Sequence, residues 1–476
     1  MEKFYIDDYL KKGTSNNKEI NLDFQNLCAN ISSAFQKEWE HSENLERMLE
    51  IQKNAIIGYE KEVLFFKNKI HQYVLKNGFE YVTYPSWYES LEDAVYQENW
   101  GLAGISEWFS EKYQWSSSCK VIGDRIYFQE AGKAVLKPQR ISKERREQLI
   151  RSFLLLTPEE RLDKDFHELY TKEGIRITIF RGNAVKENQD VMVFRRYIIP
   201  NYTFEEQVTR GTIPKDSVEF MKNIVKLGYS VAITGAMRSG KTSFLATMQA
   251  YEDETLEGVM LETDPEISLH KLMPKAPIVQ VLAKDDEMKS VVKHLLRSDA
   301  DYLIMAEARD GLALDTVLRM ASKGTRRMKI TFHERNPENF PYDVAAEIQL
   351  SLGGNAEALA KRAADSFDYI FHFVQLKDKS QKRLKGIYEI SWDKTADKIR
   401  VVQICKYDYA RDSWSWRNYI SKEKEEDGLE EDAEVYKLFS NNLRDLAIRN
   451  PINDSIVRNP VEKSLLDRIP LEVVHN

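Results

Sequence analysis

Several things are scarce in this sequence, and each scarcity narrows what it can be. Three cysteines, Cys28, Cys119 and Cys405, are scattered over 476 residues and form no CxxC pair. Neither a cysteine-based zinc site nor a disulfide framework is therefore expected, and a reducing compartment fits. The opening stretch MEKFYIDDYLKKG has no apolar core of the kind a secretory signal needs. No run approaches the ~20 apolar residues of a membrane span. Positive charge is not in excess either: 69 Lys and Arg face 76 Asp and Glu, a net charge of −7. That balance argues against nucleic acid as the main partner, because a phosphate backbone rewards a basic surface. Local basic runs such as Lys143-Glu144-Arg145-Arg146 are interrupted by acids and read as a solvated helix face. There is no internal repeat and no low-complexity segment. The length is too great for one compact core and implies roughly two to four domains.

Against this background the stretch GYSVAITGAMRSGKTS, Gly228 to Ser243, stands out. Val231-Ala232-Ile233-Thr234 is a short apolar run of the kind that forms a buried parallel strand. It leads directly into Gly235-x4-Gly240-Lys241-Thr242 and then into a helix-forming run from Phe244 to Met248. Strand, glycine-bracketed loop and helix are the setting that a phosphate-binding P-loop requires. In such a loop the backbone N–H groups of Gly235, Ala236, Met237, Arg238, Ser239, Gly240, Lys241, Thr242 and Ser243 curl around a phosphate. The helix N-terminus adds its partial positive charge, Lys241 reaches the β- and γ-phosphates, and the Thr242 hydroxyl is a ligand for Mg²⁺. The loop predicts a nucleotide site.

Taken in order, the chain changes character several times. Apolar residues at helical spacing (Leu27, Ile31, Phe35, Leu45, Leu49, Ile56, Val63, Ile70, Val74) predict two or three amphipathic helices between Asn21 and Asn77. They form either a self-packed bundle or an arm that docks a partner. From Gly101 the pattern is mixed α/β, with a hairpin turning at Gly123-Asp124, a helix from Ser142 to Leu155, and strands at Ile175 to Phe180 and Val191 to Tyr197. Pro200 to Thr212 reads as a linker. Beyond it, apolar runs at Val231–Thr234, Val259–Glu262, Ile278–Leu282, Tyr302–Ala306 and Lys329–Phe332 alternate with helix patterns at Glu287–Leu296 and Leu312–Ser322. Such alternation predicts a parallel sheet that binds ligands at the carboxyl ends of its strands. Hairpin strands follow at Tyr369–Gln375, Gly386–Trp392 and Ile399–Cys405. The charge run Lys422 to Asp432 reads as a solvated linker before a last helix, Ala433–Leu446.

Nucleotide hydrolysis needs acids at strand ends beside the loop, and three strand ends offer polar groups. They are Glu262-Thr263-Asp264-Pro265-Glu266, Ala306-Glu307-Ala308-Arg309, and His333 after Ile330-Thr331-Phe332. In this order the four segments resemble the secretion-ATPase superfamily, the motors of type II and type IV secretion, pilus assembly and conjugation. Its P-loop, Asp box, Walker B strand and His box correspond to Gly235–Thr242, Glu262–Glu266, Ala306–Arg309 and Ile330–Pro337. The segment Thr203–Ile213 and the stretch Gly101–Trp108 resemble the Flp/Tad pilus and type IV secretion branch. The tetracysteine zinc motif common in the type II branch is absent. The resemblance spans Gly101 to Asp408, with departures: Arg238 stands where the family has Gly, Thr263 where it has Asp, Asp299 where it has Arg, and Ala306 and Asp310 where it has Gly.

The resemblance implies an α/β chain with a RecA-like P-loop ATPase core, preceded by a PAS-like α+β domain and an N-terminal helical region. The corresponding segments are 1–100 helical, 101–200 PAS-like, 201–212 linker, 213–420 ATPase core, and 421–476 charged linker and helical tail. It implies ATP and Mg²⁺ as cofactors, with Thr242, Glu262 and Glu307 at the metal and Glu266 orienting the attacking water. Arg309 and His333 complete the core site, and Arg176 and Arg195, or Arg196 as the near alternative to Arg195, are offered by the PAS-like domain. The expected assembly is a hexameric ring in the cytoplasm, at the membrane's cytoplasmic face, working with inner-membrane secretion or pilus platform proteins and without direct nucleic-acid contact. The expected activity is ATP hydrolysis driving pilus assembly or export. A catalytically weak nucleotide-binding assembly factor is the alternative, and a DNA translocase a third reading.

Overall fold

The computed structural model describes residues 22–38, 50–51, 53–55, 58–154, 164–171, 174–196, 198, 203–263, 267–283, 287, 290–291, 294–295, 300–308 and 310–452. The chain forms two compact units, Met1–Ile198 and Ile199–Asn476.

The first unit holds two cores. In one, a helix over residues 22–38 packs with the helices Glu60–Asn77 and Leu91–Asn99. The expected stripe is the buried one: Leu27, Ile31, Phe35, Ile70 and Val74 all lie in this core with Phe66, Tyr96 and Trp100. The predicted helices therefore pack on one another. Leu45, Leu49 and Ile56 lie outside the described residues. The second core lies under an antiparallel sheet of β1 (Ser118–Ile122), β2 (Arg125–Glu130), β3 (Lys133–Arg140), β4 (Phe166–Tyr170), β5 (Arg176–Phe180) and β6 (Val191–Arg195). Its order is β3-β2-β1-β6-β5-β4. The hairpin turns at Gly123-Asp124 as predicted, with Ile122 opposite Arg125 and Gly123 at φ +60°. The helix Lys143–Leu154 adds Leu149, Ile150 and Phe153 to this core.

The second unit is built on one sheet: β7 (Val231–Gly235), β8 (Gly258–Glu262), β9 (Ile278–Leu282), β10 (Tyr302–Met305), β11 (Arg326–Phe332), β12 (Tyr369–Gln375), β13 (Lys382–Asp393), β14 (Lys398–Asp408) and β15 (Ser413–Trp416). The order is β15-β14-β13-β12-β7-β11-β10-β8-β9. From β12 to β9 every neighbour is parallel, and β7 and β8 are buried along their whole length. This is the RecA-like α/β core the motifs implied. The strand carrying the loop has β11 on one side and β12 on the other, so β10 is two strands away. The antiparallel strands β13 to β15 extend the sheet beyond β12.

Two segments differ from the sequence reading. Within the stretch taken as a linker, Phe204–Thr209 is a helix with a capping box between Thr203 and Glu206. It is held to the core by Phe204 against Phe244 and by Gln207 donating to the Thr247 hydroxyl (3.0 Å). The charge run Lys422 to Asp432 is not a solvated linker but the first part of a helix, Lys422–Arg449, kinked at Asp432. Its Lys424 is buried and pairs with Asp368 at 2.5 Å. Tyr229 donates to the Lys424 carbonyl, and Asp368 also accepts the Ser230 N–H at 2.6 Å. An ion pair, not solvent, explains one of these charges.

Beside this anchor sits Glu389, whose carboxylate accepts the Ser421 N–H at 2.9 Å. Burial pushes its carboxyl up to about 7, against the opposing pull of the Ser421 hydrogen bonds and the Lys424 charge. Between the unfolded carboxyl's ordinary value of ~4.3 and that value, the folded chain holds a proton that the unfolded chain has lost. This contribution is therefore full at acid pH and fades as pH rises through the window. Glu389→Gln should remove a pH-dependent loss on the order of 3 kcal/mol. Urea unfolding of both proteins near pH 5 and near pH 8 measures it; an unchanged slope would sink the assignment.

Candidate functional site

The loop leaves β7 at Gly235, directly opposite Phe373 of β12. Gly235 has φ +141°, and a Cβ there would lie 2.3 Å from the Phe373 carbonyl oxygen, so only glycine fits. The chain then turns through exposed Ala236, Met237 and Arg238 and buried Ser239, and enters the helix Lys241–Gln249 through Gly240 at φ +95°. Arg238, standing where the family resemblance has glycine, is also left-handed, at φ +61°. Thr242 and Ser243 follow in the helix's first turn, half-buried.

Lys241 is buried, and its ammonium folds back to donate to the Gly235 carbonyl (3.1 Å) and the Ala236 carbonyl (2.9 Å). It also lies 3.3 Å from His333 Nδ1. The other ring nitrogen, Nε2, is 3.2 Å from Glu307 Oε1. One imidazole thus spans the loop lysine and the acid that follows β10. The strand order makes this possible: β11 lies between β7 and β10, and His333 is the first residue past β11. The structure therefore brings together Lys241, His333 and Glu307, three groups the sequence places 92 and 26 residues apart.

Glu262 ends β8, one strand beyond β10, and is buried. Its carboxylate accepts the Ile267 N–H at 3.1 Å. Glu266 and Arg309 lie outside the described residues. Arg176 and Arg195 face each other across β5 and β6 of the first unit, and Arg176 pairs with Glu168. Arg196 is committed to that unit's own packing: it donates to the carbonyls of Tyr113 and Trp108 and lies 4.1 Å over the Trp108 ring.

For Mg²⁺ the chemistry of the donors is suitable. The Thr242 hydroxyl and the Glu307 carboxylate are hard oxygen ligands, and Mg²⁺ at phosphates takes only one or two carboxylates from protein. Among the described residues no group of three or more His, Cys, Asp or Glu could hold a metal by themselves.

Two polar features behind the loop were not found from sequence. His372, on β12 opposite Thr234, shares a hydrogen bond of 2.8 Å with the Thr234 hydroxyl. Burial, together with the charges of Lys385 and Lys241, pushes its imidazole down to about 4, so it is neutral at pH 7. A histidine inside the apolar run Tyr369–Phe373 was the available signal. The second is Glu334, next to His333, whose carboxyl is raised by burial and by the neighbouring Asp343.

No protein-family model matches the chain, and no curated protein matches it. Solved structures do. The VirB11 ATPase from the Brucella suis type IV secretion system, in complex with sulphate, is 15% identical over 60% of this chain and 92% of its own, with a TM-score of 0.34. The Legionella pneumophila ATPase DotB is 15% identical over 70% of this chain and 84% of its own, with a TM-score of 0.42. The pilus retraction motor PilT with bound ADP is 15% identical over 71% and 90%, also with a TM-score of 0.42.

The loop's backbone gives a pair of opposite expectations. Arg238→Gly relieves a left-handed residue that carries a Cβ and should raise the unfolding free energy by about 1 kcal/mol. Gly235→Ala drives a methyl into the Phe373 carbonyl and should lower it by roughly 2 kcal/mol or more. Chemical unfolding of both variants against wild type reads the difference; shifts of the same sign would contradict the loop geometry.

Proposed function

We propose that this chain binds ATP with Mg²⁺ at Gly235–Ser243 and hydrolyses it as one subunit of a hexameric motor that drives pilus assembly or macromolecule export. The observation that supports it best is the bridge from Lys241 through His333 to Glu307 at adjoining strand ends. Lys241 is already desolvated and donates to the loop's own carbonyls, and an incoming phosphate would give it a charge-assisted partner. The Thr242 hydroxyl, Glu307 and Glu262 would hold Mg²⁺, which when bound neutralises charge on the phosphate oxygens. His333 is placed to register the state of both the lysine and the acid. Glu266, from its place in the Asp box, orients the attacking water. The Flp/Tad pilus and type IV secretion branch is the setting we assign, on the segment Thr203–Ile213, at the cytoplasmic face of a membrane beside platform proteins. Among the described residues no helix is long and apolar enough to cross a membrane.

Lys241→Ala should abolish ATP binding without unfolding the chain. Glu266→Gln should bind ATP normally and lose turnover by roughly two orders of magnitude. Nucleotide binding and steady-state phosphate release measured side by side check both. A wild type that binds ATP but releases no phosphate above background, even with platform proteins present, would instead establish a nucleotide-gated structural subunit. Sedimentation with ATP and Mg²⁺ should show a near-hexameric species; a monomer at high protein and nucleotide concentration counts against a ring.

A further inference from the structure

The start of β13 carries two adjacent cations that point to opposite sides of the strand, and the structure uses them differently. Arg383 is buried and forms a two-point ion pair with Asp412, Nε to Oδ1 at 2.9 Å and Nη2 to Oδ2 at 3.1 Å. It holds the β14–β15 turn. Among the described residues no carboxylate makes such a pair with Lys382. Its ammonium donates to the carbonyls of Lys379 (3.1 Å) and Ser380 (3.2 Å), neutral acceptors in its own turn. Its stem lies against the nucleotide loop: a Cβ at Gly240 would sit 3.6 Å from Lys382 Cγ and 3.9 Å from its Cβ.

The segment before the helix Val218–Lys226 also docks on the start of β13. The Thr212 carbonyl accepts the Leu384 N–H at 2.7 Å. Gly211, at φ +69°, packs on the Arg383 guanidinium, with a Cβ there 3.2 Å from Nη1. Arg210, exposed, is the residue before them, and its charge acts on Lys382. Burial and the Arg210 charge both push the Lys382 ammonium below its usual range, and the opposing pull of Asp378 is weaker. A half-buried ammonium that feels a like charge favours an anion beside it. The groups that Lys382 adjoins are the Gly240 backbone and the N-terminus of the helix Lys241–Gln249, which themselves favour phosphate.

We propose that Lys382 is a second cationic contact for the phosphate chain of a nucleoside di- or triphosphate held in the loop. This rests on the nucleotide-loop reading and extends it to β13, a strand outside the motifs by which the site was recognised. The family pattern did not contain it, and its sequence, KSQKRLK from Lys379 to Lys385, looks like a solvated turn.

The test uses the full chain and a fluorescent ADP displaced by ADP or by inorganic pyrophosphate. Lys382→Ala should weaken both ligands by about tenfold. Lys382→Glu should weaken both further, and Lys382→Arg should keep both within about threefold of wild type. Parallel losses for ADP and pyrophosphate identify a phosphate contact. Loss for ADP with pyrophosphate unchanged would place Lys382 at the nucleoside and overturn the proposal. So would Ala and Glu variants that both bind within twofold of wild type while Lys241→Ala has lost binding. If Lys241→Ala itself binds like wild type, the loop reading and this proposal fall together.

Discussion

The strand β7 is gripped by parallel partners on both sides, β11 and β12, and its residues are buried along the whole strand. That constraint decides where everything else at the site can be. Parallel register lines up strand ends, so whatever follows β7, β11 and β12 emerges at one edge of the sheet. After β7 comes the loop; after β11 comes His333; two strands over, after β10, comes Glu307. A slip of one residue in β11 would turn His333 to the other face and break the bridge between Lys241 and Glu307. The chemistry depends less on the individual side chains than on strands of matched length that cannot slide.

The two ends of this sheet treat charge differently. At the far end from the loop, buried charges are matched: Lys329 with Glu252 at 2.6 Å, Arg327 with the same carboxylate at 2.6 Å, and Lys424 with Asp368. Glu252 follows the helix that leaves the loop, so these pairs fix that helix to β11 and the tail helix to β12. Removing one member of such a pair leaves a buried charge uncompensated, which is why these positions act as fixed points. At the loop end the treatment is mixed: Arg383 is matched by Asp412, while Lys241 donates to backbone carbonyls beside a histidine and Lys382 donates to carbonyls of its own turn. Cations held by neutral acceptors can exchange them for an anion; cations held by carboxylates cannot do so cheaply.

Much of the second unit was legible because buried parallel strands are written as uninterrupted apolar runs. Val231–Thr234, Val259–Glu262 and Tyr369–Gln375 match β7, β8 and β12 closely. The edge strand β3 was not legible: most of its side chains are exposed, so no alternation marks it. Phe204–Thr209 was hidden by its brevity, one and a half turns whose only sequence mark is the Thr203-x-x-Glu206 cap. The helix beginning at Lys422 was obscured by composition, because a run of Lys and Glu looks solvated until the partner of one lysine is known, and Asp368 lies 56 positions earlier in the chain. The loop, Glu307 and His333 were found by motif. Lys382 and His372 were not, since what makes them notable is a neighbour brought by β13 and β12, and no local pattern encodes that.

The hydrogen bond from Tyr229 to the Lys424 carbonyl joins residues 195 positions apart, and β12 reaches β7 across 138. During synthesis, then, the loop strand leaves the ribosome long before one of its two flanking strands exists, and longer still before the tail helix can close over its start. At about 5–20 residues per second, that interval is on the order of ten seconds or more. For that time a wholly apolar strand and its glycine loop lack half of their native partners, while β8 to β11 can assemble only one side of the sheet. The nascent second unit is thus a substrate for chaperones by construction, and premature termination anywhere before Lys424 yields a chain with its central strand laid down but not yet locked.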